Sequence, residues 1–357
     1  MKSQRGFNLI DLLIGMAISL MGLLAVGQIL LSFTQQRNTI TQTLEAQSNG
    51  VMAMYLMEKD FTQAGYGLMN IQDCSRINWY FNGTGHYDDP YGPVTANLAF
   101  TTLPLKITDG GATGSDAFEV QYGNPRSGAP VAVAIQNQTG GYGTQINVAS
   151  VAGFAQSDLI VTDVGGSCTM GQIDTPNTVT VSLNRPTAPA ASYLYNTNAR
   201  PAGAAAGWEA AVANTTLVAN LGAFVSRRYR IANEVLQVAD YNSAYTYSDL
   251  VDGIVFLKAE YGLDTNADGT VDVWSTGIPA VNVPGIGTQV VAIRLGLVAR
   301  SPLYEKTAVD APAVLTVLPA ITTAPTSLAV TYAVPDTHYR YRTYYTVIPL
   351  RNAIWAR

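Results

Sequence analysis

Between Leu12 and Leu31 the chain is apolar, interrupted only by Ser19 and Gln28. About twenty such residues in a helix cover the hydrocarbon thickness of a bilayer, so the first element is settled before anything else is read. Lys2 and Arg5 stand ahead of it, which keeps this end in the cytoplasm and sends the rest outward. A secretory signal would carry a small-residue cleavage site after the apolar run. "GLLAVGQ" contains small residues, but Gln28 to Phe33 continues the run with no proline or polar cluster. Read on segment chemistry alone, this is an uncleaved signal anchor. Asp11 does not fit that reading easily, because a carboxylate at the edge of a hydrocarbon segment is costly without a partner. A helix-start acid favoured by the macrodipole is one account of it.

The order of the first residues gives another. "RGFNLID", residues 5 to 11, resembles the type IV prepilin signal: a short basic leader, Gly, a hydrophobic first mature residue, and an acid at the fifth mature position. The resemblance implies cleavage by a prepilin peptidase between Gly6 and Phe7, N-methylation of Phe7, and an assembly role for Asp11. Cutting there creates an ammonium about one helical turn from Asp11, and opposite charges at low dielectric stabilise one another. In a family filament the carboxylate meets the amine of a neighbouring subunit instead. The family's usual acid is Glu, one methylene longer than Asp11, and no proline interrupts Phe7 to Phe61, which implies a straighter rod.

Charge and cysteine usage bound the rest. Only 13% of residues are charged, and abundant Gly, Ala, Thr and Asn with 20 Tyr suit an exported β-rich protein. Loss of Lys2 and Arg5 with the leader takes the net charge from −5 to −7, which disfavours a nucleic-acid backbone as partner. Cys74 and Cys168 both follow the apolar segment, in an oxidising space, so a single disulfide is expected, with free buried thiols as the alternative. It would close a loop of more than ninety residues, worth about 4 kcal/mol if unstrained.

From Ser32 the pattern turns amphipathic. Ile40, Leu44, Val51, Met54, Tyr55 and Phe61 recur at helical spacings, and are expected to be the face that packs on a sheet. Gly65 and Gly67 supply the stop, giving one helix from about Asn8 to Ala64. Beyond it, "DAFEVQYG", "TQINVAS", "DLIVTDV", "TVTVSLN", "FVSRRYRIANEVLQVAD", "DGIVFLKAEYG", "TQVVAIRLGLVARS" and "HYRYRTYYTVIPLRN" read as strands, with "IANEV" as a hairpin turn. The fold class is α+β: a long N-terminal helix packed on an antiparallel β-sheet, with an elaborated β-rich globular region. Four segments are expected: a leader 1–6, an apolar helix half 7–33, an amphipathic half 34–66 and a β-rich extracytoplasmic domain 67–357.

"MEKDFTQAGYG", "SDLIVTDVGGSC", "LVDGIVFLKAEYGLDTNADGTVDVW", "VVAIRLGLVARS" and "TVIPLRN" are similar to landmarks of the PilW group of minor pilins, in the same order. That resemblance implies the type IV pilin fold and a structural, non-enzymatic role. It implies priming of pilus assembly at the tip, in support of twitching motility and attachment. The implied partners are other minor and major pilins, the prepilin peptidase, the inner-membrane assembly platform and a tip adhesin. The protein is expected in the inner membrane as a single N-in pass before assembly, and at the pilus, cell surface or periplasm afterwards. Two rivals stand beside this: a minor pseudopilin of type II secretion, and a signal-anchored periplasmic binding protein that keeps its N-terminus.

"DTNADGTVD", residues 264 to 272, carries possible metal chemistry. Asp264, Asn266 and Asp268 alternate as oxygen donors, Gly269 permits a sharp turn, Thr270 offers its carbonyl, and Asp272 follows, as in the first nine places of an EF-hand loop. Hard oxygen donors point to calcium. The twelfth place is Ser275, not a bidentate Glu, and an Asp/Asn-rich turn between strands that binds nothing is the competing account. Catalysis lacks parts: the two histidines are His86 and His338, and no nucleophile elbow, phosphate loop or zinc spacing occurs. Asp88 and Asp89 beside His86 read as a solvated turn. "HYRYRTYY" interleaves Arg and Tyr like a single-strand nucleic-acid platform, but a strand with cross-paired aromatics suits the acidic chain better.

Overall fold

The computed structural model describes residues 9–67, 77–79, 88–89, 92–93, 98–100, 104–125, 131–134, 145–164, 167–173, 175–177, 180–182, 217–240, 246–277, 289–309 and 312–352. One unbroken helix, Leu9–Gln63, contains 55 residues, about 80 Å at 1.5 Å per residue. Gly65 and Gly67, both at φ 77°, end it in the left-handed conformation that glycine adopts without a Cβ penalty. The Gly65 N–H then donates to the Gln121 carbonyl, tying the helix end to the first sheet beneath it.

That sheet has five antiparallel strands in the order Tyr247–Asp252, Val235–Asp240, Val225–Ala232, Ala117–Tyr122, Leu105–Thr108. Asn233 and Glu234 both have positive φ and join Ala232 to its partner Val235 in a two-residue turn of the primed type, which matches strand twist. A second sheet orders Val273–Ser275, Ile254–Leu263, Val290–Arg300, Tyr341–Pro349. Asp116 stitches the two together: its N–H donates to Leu257, its carboxylate accepts from the Ala259 N–H, and Lys258 Nζ donates to it at 2.6 Å. The Ile107 N–H also donates to the Tyr261 hydroxyl across the same seam. One core follows, holding Met57, Phe61, Leu105, Phe118, Tyr229, Leu257, Leu295 and Ile348.

The second sheet is covered on both faces. A hairpin, Val314–Leu318 with Val330–Ala333, lies on the side away from the helix and packs Val317, Leu315 and Tyr332 against Phe256 and Val298. Burial on both faces explains the near-continuous apolar runs of Ile254–Leu263 and Val290–Arg300. At Gly296 an added Cβ would stand 2.5 Å from the Val317 carbonyl, so glycine lets the hairpin approach. Arg294, with no exposed surface, anchors it: its side chain pairs with Glu260 at 2.8 Å and donates to Pro319, Ser327 and Leu328. The Ala-, Pro- and Thr-rich stretch between the last two long strands is therefore a pinned layer.

Residues 77–222 contribute a six-stranded sheet in the order Leu98–Phe100, Ile77–Trp79, Ser167–Gln172, Leu159–Val164, Leu217–Gly222, Val131–Ala134. The pairing of Ile77–Trp79 with Ser167–Gln172 is parallel, whereas the other described strand pairs are antiparallel. A three-stranded sheet of Gln145–Asn147, Thr180–Ser182 and Thr175–Asn177 accompanies it.

Candidate functional site

The chemistry-bearing parts of this chain are the surfaces of its helix and the contacts that hold it. Along the first half, from Leu9 to Phe33, Leu, Ile, Met, Val and Phe side chains are exposed all round, as a segment made for a lipid or helix environment is. It is long and apolar enough to cross a membrane. Gly6 and Phe7 lie outside the described residues. Asp11 falls in the first turn of the described helix, and its side chain is not among those described.

The second half packs differently from the sequence expectation. Of the six residues assigned to the sheet face, only Met54 and Phe61 are buried there. Ile40, Leu44, Val51 and Tyr55 point away from the sheets, each more than half exposed. The buried face is made instead by Gln42, Ala46, Gly50, Ala53, Met54, Met57, Asp60, Phe61 and Ala64. Small residues let the backbone approach: a Cβ at Gly50 would fall 2.0 Å from the Tyr344 ring, whose hydroxyl donates to the Gln47 carbonyl. The large apolar residues are thus left for the outward face, where Leu44, Val51, Met52 and Tyr55 line a shallow groove with Gln47 and Ser48.

Asp60, in the last turn and buried, fixes the helix to the five-stranded sheet. It accepts hydrogen bonds from the Tyr229 hydroxyl at 2.5 Å, from Tyr122 at 3.1 Å and from Arg227 at 3.0 Å, and Arg227 also reaches Asp240. Burial, then the Asp60 charge, pushes the Tyr122 phenol up to about 12 and Tyr229 higher still. Sequence reasoning missed this network. Its signal was an acid in the final turn, where the macrodipole disfavours negative charge and a buried partner is needed. Asn352 was missed too: its carboxamide donates to the Gln63 carbonyl at 3.2 Å, which also accepts from the Tyr66 N–H, and to the Ala64 carbonyl at 3.1 Å, where the helix end leaves acceptor capacity open. That gives the "LRN" of the C-terminal landmark a physical reason.

The loop 264–272 has the compact form its residue types suggested. The Asp264 carboxylate accepts from the N–H groups of Asn266, Ala267 and Gly269, and Asp272 accepts from Thr265 and Asn266. The Thr270 hydroxyl, then its N–H, holds the Asp268 carboxyl below its ordinary range. Gly269 sits at φ 87° and Ala267 at φ 66°. These donors turn the acids inward on the loop's own backbone. Among the described residues no group of three His, Cys, Asp or Glu side chains is placed to hold a metal. Ser275 ends the strand opposite Tyr261.

Cys168 lies in a strand opposite Ile77, three residues after Cys74 in the chain; Cys74 and the Cys168 side chain are outside what is described. His86 is outside it as well. Asp88 and Asp89 form a two-residue strand with Gly92–Pro93. At the chain's end, His338 and Tyr339 precede the last strand, where His338 stacks on Tyr304 with centroids 4.5 Å apart and Arg300 stands 4.0 Å over the Tyr339 ring. Arg340 pairs with Glu305, and Tyr341 packs against Tyr332. The Arg and Tyr residues of this stretch are largely engaged with protein neighbours.

Comparison with known proteins agrees with the sheet region. Residues 224–352 match the family model PilW, Type IV Pilus-assembly protein W. No curated protein and no solved structure matches the chain. The matched span runs from the strand that carries Arg227 and Tyr229 to Asn352, and so includes most of the partners that hold the helix. Over this span, about a third of its length, the chain is similar to the PilW family of type IV pilus-assembly proteins.

Proposed function

We propose that this protein is a minor pilin, cleaved after Gly6, N-methylated at Phe7, and built into a type IV pilus at or near its tip. The supporting observation is one rigid element: an exposed apolar helix half continuous with a half locked onto PilW-family sheets. The apolar half holds the precursor in the inner membrane, single-pass and N-in, and passes into the helix packing of a filament on assembly. Asp11 receives the new N-terminal ammonium of a neighbouring subunit. The partners are other minor and major pilins, the peptidase, the assembly platform and a tip adhesin, and the role is structural, in support of motility and attachment.

The N-terminus of protein from its native membranes tests this reading. A terminus at Phe7 with one added methyl, lost in a strain without the prepilin peptidase, is the expected result. A terminus at Met1 overturns it in favour of an anchored binding protein. Loss of secretion with pili intact on deletion assigns the chain to type II secretion instead. Two subsidiary proposals rest on residue types. A Cys74–Cys168 disulfide is read by a mass gain of two hydrogens on reduction. Calcium at Asp264, Asn266, Asp268, Thr270 and Asp272 requires the carboxylates to exchange N–H donors for the ion. Without a twelfth-place Glu its dissociation constant is expected near about 1 mM, and no calcium heat, or heat that survives Asp268→Ala, excludes it.

A further inference from the structure

The last strand, Tyr341–Pro349, ends the helix-bearing four-stranded sheet, and no described strand pairs with its other side. Its nine residues stay in register with Val290–Arg300 without a bulge. The other described sheet edges are two to six residues long, and one, Tyr247–Asp252, meets its neighbour with a register shift. A long, regular, unpaired edge is what proteins usually avoid leaving open, because its N–H and C=O groups template another strand.

The register says which groups are offered. The Leu350 N–H donates to Val291 and the Ser301 N–H to Arg340, so even-numbered residues face inward to the neighbouring strand. Tyr341, Thr343, Tyr345 and Val347 therefore direct their backbone N–H and C=O outward. Pro349, the next outward position, has no N–H to offer and closes the edge at no cost to the internal ladder. Tyr345 and Val347 keep about two-fifths of their surface exposed, and Arg342 is exposed with no ion-pair partner among the described residues.

We infer that this edge receives an extended strand from a different protein, with apolar side chains against Tyr345 and Val347 and an acidic one near Arg342. Symmetry argues against a second copy at the same edge. Antiparallel pairing of two such edges needs a two-fold axis through the sheet, which sets the two helices antiparallel and their apolar halves at opposite ends. Parallel pairing needs outward residues of one strand opposite inward residues of the other, a one-residue stagger that no two-fold axis produces. The first of these arguments rests on the proposed function, since it requires both apolar halves in one bilayer or one polar filament.

The test places the photo-crosslinker p-benzoylphenylalanine at Thr343, and separately at Val347, in the full chain expressed in the cells that make it. The expected adducts fall on one other protein, at two points about four residues apart in a single segment, and drop at least tenfold with Tyr345→Pro. That variant removes only an outward N–H, so its thermal melt is expected near wild type, whereas Thr346→Pro breaks an inward bond and lowers it. Arg342→Glu gives a second, backbone-neutral reduction. Adducts to this chain itself, scattered adducts, or adducts unchanged in a folded Tyr345→Pro protein overturn the inference. The N-terminus is determined in the same cells: a terminus at Phe7 without the paired adducts leaves the pilin reading standing, and paired adducts with a terminus at Met1 do the reverse.

Discussion

At the scale of single residues, Asp60 decides how firmly the helix sits. It is buried, and three donors from the five-stranded sheet converge on it. Asp60→Asn keeps the shape but leaves Arg227 without its nearer countercharge, and about 3 kcal/mol of stability should be lost in denaturant unfolding. Asp240→Asn, at the more exposed end of the same arginine, should cost less than about 1 kcal/mol. Tyr122 makes a pH prediction. An unfolded tyrosine ionises near pH 10.0, whereas burial and then the Asp60 charge hold the folded Tyr122 proton up to about 12. Within that window the folded state binds more protons, so stability is whole below pH 10.0 and falls as pH rises toward 12. Melts of Tyr122→Phe across this range should show a shallower decline, the remainder being shared by Tyr229, Tyr341, Tyr332 and Tyr344, whose phenols burial also raises.

At the scale of elements, the hairpin of Val314–Leu318 and Val330–Ala333 depends on Arg294. Arg294→Met fills much of the same volume but leaves Glu260 buried without its guanidinium, and a loss of about 3 to 5 kcal/mol is expected. Protease cleavage within 319–328 should rise before global unfolding, which separates release of the hairpin from collapse of the sheet. Strand alternation and the "IANEV" turn were legible in the sequence because they depend on local rules, period two and two residues at positive φ. Which helix face meets the sheet was not, because the pattern of large apolar residues marks an interface without saying to what. Here the helix gives its small residues, Ala46, Gly50 and Ala53, to its own sheet, and keeps Leu44, Val51 and Tyr55 for the outside. The hairpin was illegible for a related reason: its anchor is a buried ion pair between Arg294 and Glu260, thirty-four residues apart in sequence. The acids of 264–272 were found from spacing, but spacing did not show that their own backbone N–H groups would occupy them.

At the scale of the whole molecule, the two helix halves are separable in their demands. No large apolar side chain described between Leu9 and Phe33 is buried, and the first helix residue whose side chain is described as buried is Gln42. Deleting residues 1–33 should therefore leave a folded, water-soluble protein that melts within a few degrees of the detergent-solubilised full chain. A melt lowered by ten degrees or more would mean that the apolar half supports the sheets after all. The folded remainder would keep the outward groove of Leu44, Val51, Met52 and Tyr55, so weak self-association through it is expected at high concentration.

The attachment of the helix also has a mechanical meaning. Contacts at Gln47, Gly50, Asp60, Gln63 and Ala64 are spread along some 17 residues, or about 25 Å of helix. Tension along the helix axis loads all of them in shear at once, and the joint yields only when they fail together. A sideways pull on the free end peels them in sequence, with the Tyr344 to Gln47 bond first in line. The joint is a tow-bar, strong along its length and weak across it, and whatever surrounds the exposed half must keep the load axial.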